Sequence, residues 1–271
     1  MIKPIRHIVL FAALAMVASA AIAQPSYRER SDGYERGARQ GREHRAGVFD
    51  YYLLSLSWSP TYCAGLRDGR YEPQCDRRGE RPYAFVLHGL WPQYERGWPQ
   101  YCFSPDRGFV PRPVGDRMLD IMPSPKLVFN EYRKHGTCSG LGVDRYFAFA
   151  RQLYEKVNIP KRFVGLADDR LMISPSELVR EFMAANPELR PDMVAVSCGG
   201  PGSRLREVRI CFDKDGNYRA CGRNENQRRL CSAERMYVPP VRASPDGTEP
   251  DRGAPGPQRE ILPGPRDERR L

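Results

Sequence analysis

Four histidines occur in the 271 residues, and only His88 and His135 lie in stretches patterned to fold; His7 falls in an N-terminal apolar run and His44 in a charged segment. His88 follows Phe85, Val86 and Leu87 and precedes Gly89, Leu90, Trp91, Pro92 and Gln93. It stands at the end of an expected strand, where a rigid scaffold commonly presents reactive groups. His135 closes an expected helix, whose spacing puts Glu131, Lys134 and His135 on one face with Asn130 at its border. Taken singly, each has a plainer explanation: a hydrogen-bonded structural imidazole beside a packed tryptophan, or a surface ion cluster. Together they hold what cleavage of an RNA phosphodiester needs, namely a base for the 2′-hydroxyl, an acid for the departing 5′-oxygen and a cation at the phosphorane. Two imidazoles, with reference pKa near ~6.5, can hold complementary protonation states at mildly acidic pH. Lys134 supplies positive charge, and Glu131 can orient an imidazole or keep it protonated. Residue types alone do not say which histidine is the acid. Trp91 and Trp98 can stack unpaired bases or fill a core, Trp98 more readily the latter.

The elements that must position these groups are written in the same sequence. Residues 48–58 are rich in aromatic and branched side chains and predict a central strand; residues 84–88, 193–198 and 207–212 predict three more. The last runs into Asp213-Lys214-Asp215-Gly216-Asn217, hairpin-turn chemistry that lacks the ligand positions of a calcium loop. Ser124 and Pro125 predict the start of a helix through residues 126–135, with Gly136 as its stop. Asp144 opens a second, with Tyr146, Phe147, Ala150, Leu153, Tyr154 and Val157 on its apolar side. Ser174 and Glu177 form a capping box for a third, which ends before Pro187. Strands and helices that do not alternate regularly point to an α+β domain.

Composition divides the chain further. Residues 1–23 carry Lys3 and Arg6, then an apolar run and the small residues Ala21 and Ala23, the pattern of a cleaved signal peptide; the run is short for a membrane span. Residues 24–46 and 239–271 are charged and rich in Gly and Pro, which predicts disorder. One folded domain of residues 47–238 is left, and it keeps most of the +10 formal charge, a balance suited to a polyanion. The eight cysteines all follow the signal, so an exported protein with four disulfides is expected. A zinc site is disfavoured because no Cys-x-x-Cys pair occurs. Spacing leaves the disulfide pairing open.

The segments HGLWP at 88–92 and KHGTC at 134–138 resemble the two active-site motifs of the ribonuclease T2 family, the secreted acid endoribonucleases. The likeness extends over most of residues 48–231, including the segment from Ser59 to Cys63 and the late cysteine spacing. The resemblance implies an α+β fold with an antiparallel sheet and packed helices. It implies metal-independent, cofactor-free cleavage of single-stranded RNA through a 2′,3′-cyclic phosphate by a monomer. On this likeness His135 is the base, His88 the acid, and Glu131 and Lys134 stabilise the phosphorane. It also pairs Cys63 with Cys75, Cys102 with Cys138, Cys198 with Cys231 and Cys211 with Cys221. DNA, lacking the 2′-hydroxyl, should survive. Two positions depart from the pattern: Asn130 stands where the family commonly has a phosphate-binding histidine, and Gln93 where many members have an aspartate used in base selection. Weaker phosphate binding and low base specificity are expected. An RNA-binding or signalling protein of the same fold without catalysis, and a metal-dependent phosphoesterase, are the competing readings.

Overall fold

A computed structural model describes residues 44–66, 72–75, 82–168 and 171–241. The segments read from sequence as signal peptide and as most of the two tails lie outside them. The folded body is slightly longer than expected. His44 Nδ1 donates to the Gln100 carbonyl (2.9 Å), and the Val241 amide donates to the Leu166 carbonyl, so residues at both proposed tail boundaries dock on the domain. Among the described residues no helix is long and apolar enough to cross a membrane.

The frame is an antiparallel sheet of β1 (Tyr51–Trp58), β2 (Phe85–Gln93), β4 (Val194–Gly199) and β5 (Arg204–Phe212), in the order β2-β1-β5-β4. The two-residue strands β3 (Met172–Ile173) and β6 (Met236–Tyr237) pair separately. Alternation along β1 sends Tyr52, Leu54, Leu56 and Trp58 into the main core, where they are at most 2% exposed. Helices α1 (Pro125–Lys134), α2 (Val143–Lys156) and α3 (Pro175–Ala185) contribute Val128, Tyr146, Phe147, Leu153 and Phe182 to the same core. Tyr51 and Leu53 face the other way, with Cys211 and Trp91. The antiparallel sheet and packed helices are the α+β arrangement that the sequence pattern predicts.

Element starts follow their capping chemistry. The Ser124 side chain accepts from the Leu127 amide ahead of α1, and Ser174 and Glu177 make both bonds of the capping box ahead of α3. Asp213 accepts from the amides of Asp215 and Asn217, which closes the turn after β5. All eight cysteines are paired as the resemblance implied, leaving no thiol for zinc.

One expectation about β2 needs correction. His88 does not end the strand; β2 continues to Gln93. Opposite it, Ser55 pairs with Gly89 but Leu56 pairs with Leu87, so His88 is the extra residue of a β-bulge. A bulge puts two successive residues on one face and re-aims a side chain.

Candidate active site

The face of the sheet away from the main core carries the site. Successive outward positions of β1 are Leu53, Ser55 and Ser57, and across the ladder they meet Trp91 and Cys211, Gly89 and Arg209, and Val86 and Glu207. The two small serines leave open space in the middle strand. The His88 ring from the β2 bulge spans it, and its Nδ1 lies 2.7 Å from Glu207 Oε1 on β5. Arg209, two residues along the same strand face, holds the other Glu207 oxygen from Nε and Nη2 at 2.9 and 2.8 Å. The sequence reading did not include Glu207 or Arg209. Their signal was a carboxylate and a guanidinium at i and i+2, outward positions of a strand whose inward residues, Val208 and Ile210, are fully buried.

The other half of the site hangs on α1. Glu131 is 8% exposed; its Oε2 accepts from Trp91 Nε1 at 2.6 Å and its Oε1 lies 3.6 Å from His88 Nε2. Gly89 makes this approach possible, since a Cβ there would lie 2.4 Å from Trp91 Nε1 and 2.5 Å from Glu131 Oε2. His135 caps α1, its amide donating to the Glu131 carbonyl (2.9 Å). The chain then turns through Gly136, where a Cβ would be 2.3 Å from the Tyr132 ring. The Cys102–Cys138 disulfide ties this helix end to the loop after β2, and the Tyr101 amide donates to the Lys134 carbonyl beside it (2.8 Å).

Trp91 joins the halves. His135 stacks on the indole at 5.1 Å between centroids with a 27° interplanar angle, and His88 meets it edge-on, also at 5.1 Å. The Arg209 guanidinium lies 5.5 Å from the same ring. With its neighbours so placed, Trp91 braces both halves of the site while staying partly exposed. Gln93, expected at a base-selecting position, is 3% exposed, and its Oε1 accepts from Asn224 Nδ2 (3.1 Å), which takes the amide oxygen inside the fold. Trp98, read as more readily core than Trp91, is 49% exposed. Asn130 is exposed and lines a cleft of about 560 Å³ together with Ser57, Gln74, Val86, His88 and Leu127. A second cleft, about 650 Å³, shares Ser57, Tyr62, Leu66 and His88 with the first.

The imidazoles are polarised in opposite directions. Burial pushes the His88 pKa down, but the Glu207 hydrogen bond and the charges of Glu131 and Glu207 outweigh burial and Arg209, and the net shift is upward. His135 is driven well below its ordinary value, by burial first and then by the charges of Lys134 and His88. Glu207 resists burial through its bond to His88 and the charges of His88 and Arg209, and its pKa falls to about 2. Glu131 is raised, chiefly by burial, against the pull of His88, Trp91 and Lys134. The surroundings favour the neutral form of one imidazole and the cationic form of the other, beside a lysine and open clefts, a pair suited to take and give a proton in one event.

The chain is similar to known proteins. The model of the ribonuclease T2 family matches residues 49–221. A ribonuclease of Aeromonas hydrophila is 35% identical over 197 residues, covering 68% of this chain and 81% of the relative. A probable ribonuclease of Haemophilus influenzae is 28% identical over 215 residues, 76% and 72% of the two chains. Among solved structures, trichomaglin, described as an S-like ribonuclease, superimposes with a TM-score of 0.54 at 25% identity, over 72% of this chain and 99% of its own. An RNase-related protein from Calystegia sepium shares the fold at a TM-score of 0.56 and 21% identity, over 72% and 98%. A family match that spans both histidine motifs and the four strands of the main sheet places the chain in the ribonuclease T2 family, as an endoribonuclease of the T2 type.

Proposed function

We propose that this endoribonuclease cleaves single-stranded RNA by transphosphorylation, with His135 as general base and His88 as general acid. The observation that carries the reading is the opposite polarisation of two imidazoles held around one indole. Neutral His135 accepts the 2′-hydroxyl proton as the 2′-oxygen attacks phosphorus. Cationic His88 delivers its proton to the departing 5′-oxygen, leaving a 2′,3′-cyclic phosphate. Lys134 balances the phosphorane charge, and Glu131, fixed by the Trp91 indole, keeps His88 protonated and oriented. In the second step water adds with the proton roles exchanged, and a 3′-phosphate results.

The other expectations belong to the same proposal. With Gln93 buried and Asn130 uncharged, base preference is weak. Four disulfides suit an exported protein in an oxidising compartment. The enzyme acts as a monomer and leaves DNA intact. The test is cleavage of homopolymer RNAs in EDTA, with end groups identified by phosphorus NMR. Cyclic phosphate preceding 3′-phosphate, with cleavage lost in both His88→Ala and His135→Ala, is expected. Dependence on a divalent ion, or 5′-phosphate products, refutes the mechanism.

A further inference from the structure

The second cleft meets the chemistry above at His88 and the Glu207 and Arg209 side chains behind it. Arg204, Arg206, Glu207 and Arg209 face it, opposite Tyr62 and alongside the turn at Gly199 and Gly200. Glu207 is taken by His88 and Arg209, which leaves no uncommitted carboxylate among those lining residues. Arg204 and Arg206 form no salt bridge with any described residue, and Arg204 Nε is buried with no hydrogen-bond partner. A buried guanidinium N–H without an acceptor is costly and is satisfied when a ligand brings one.

A second bulge gathers these side chains. Ser197 pairs with Glu207 and Cys198 with Leu205, so Arg206 is the extra residue of β5. The phase change lets Arg204, Glu207 and Arg209 share the outward face while Leu205 and Val208 stay fully buried. The Arg206 guanidinium packs where Gly199 has no side chain; a Cβ there would lie 2.8 Å from Arg206 Cζ. Two guanidiniums with no salt-bridge partner among the described residues, on one wall, suit the tetrahedral oxyanions of a phosphodiester.

We propose that Arg204 and Arg206 form a subsite for an RNA phosphate on the leaving-group side, 3′ of the bond that is cut. The direction rests on the assignment of His88 as acid: the 5′-oxygen departs at His88, and the strand it carries continues into the cleft that His88 walls. The enzyme therefore engages more of the strand than the two nucleotides around the scissile bond.

The experiment compares a dinucleoside monophosphate with its 3′-phosphorylated and 5′-phosphorylated forms. In the wild type the 3′-phosphate lowers KM by about tenfold, the scale of one charge-assisted phosphate contact. In Arg204→Gln/Arg206→Gln that gain disappears, while kcat and KM for the plain dinucleotide stay within about twofold. No gain in the wild type, a gain that survives the substitutions, or a gain tied to the 5′-phosphate overturns the proposal. A second readout needs no variant: the slope of log kcat/KM against log salt is steeper by about 0.7 for the 3′-phosphorylated substrate. Equal slopes overturn it as well. The acid assignment fails separately, by full cleavage of the plain dinucleotide in His88→Ala, and the wild-type phosphate gain is measurable whatever that variant does.

Discussion

Replacing Glu207 with Gln tests how this fold makes an acid of His88. The amide keeps the size of the side chain and an oxygen to accept from His88 Nδ1, 2.7 Å away, but removes the charge. Glu207 is 13% exposed in its side chain, and a drop in its pKa from 4.5 to about 2 corresponds to about 3 kcal/mol in favour of the charged partners. Without it, burial and the now unopposed Arg209 both disfavour the imidazolium. Loss of an opposite charge at this range is worth about one to two pKa units. The alkaline limb of the kcat/KM profile, which reports His88 as acid, should move down by that amount. At pH values above both limbs activity then falls about ten- to a hundredfold, whereas below both it is nearly unchanged. Arg209→Gln should move the same limb upward. A fixed alkaline limb in Glu207→Gln, or an equal loss at every pH, refutes the account. Stability gives a parallel check. The depressed carboxylate stabilises the fold above its unfolded value and loses this as pH falls toward about 2; the raised imidazole stabilises it below its unfolded value and loses this as pH rises through the folded one. Urea unfolding should therefore show the largest cost of Glu207→Gln at about pH 5.5 and a smaller one at about pH 8.5.

Other substitutions probe the remaining supports. Cys102→Ala with Cys138→Ala opens a 36-residue separation, and chain entropy sets the loss at about 4 kcal/mol, or roughly 10 °C in calorimetry. The same variant should lower kcat, because the bridge holds the end of α1 that carries Lys134 and His135. Trp91→Phe retains a ring for His135 but strips Glu131 of the indole donor at 2.6 Å, and kcat should fall about tenfold with little change in KM. Asn130→His adds a titrating cation to the first cleft; KM for RNA should fall several-fold at pH 5 and not at pH 8, and a pH-independent effect would count against phosphate contact.

How much of this was legible in the sequence depends on whether the signal was local. Caps wrote the starts of α1 and α3 into single residues, Ser124 and Ser174, and the motifs at 88–92 and 134–138 carried the histidines, Glu131 and Lys134. Bulges have no such residue-level mark. A strand read with strict alternation places His88 at an end and counts Arg206 and Glu207 on opposite faces, whereas the register shifts at Ser55/Leu56 and Ser197/Cys198 bring all three to one face. The partner of His88 is 119 residues away, so its identity follows from the pairing β2-β1-β5 and from the serines that leave β1 uncrowded, features that only the assembled sheet defines. Gln93 misled for a complementary reason. Its type suits contact with a base, but it is buried and Asn224 donates to its amide oxygen, a neighbour that no local pattern announces. The division has a physical basis. Proton-transfer groups are constrained by chemistry to a few residue types and so are visible singly, whereas the groups that set their pKa act by distance. An ordinary strand carboxylate becomes a determinant of acidity only when an irregularity of register in another strand, the bulge at His88, brings the ring it controls to 2.7 Å.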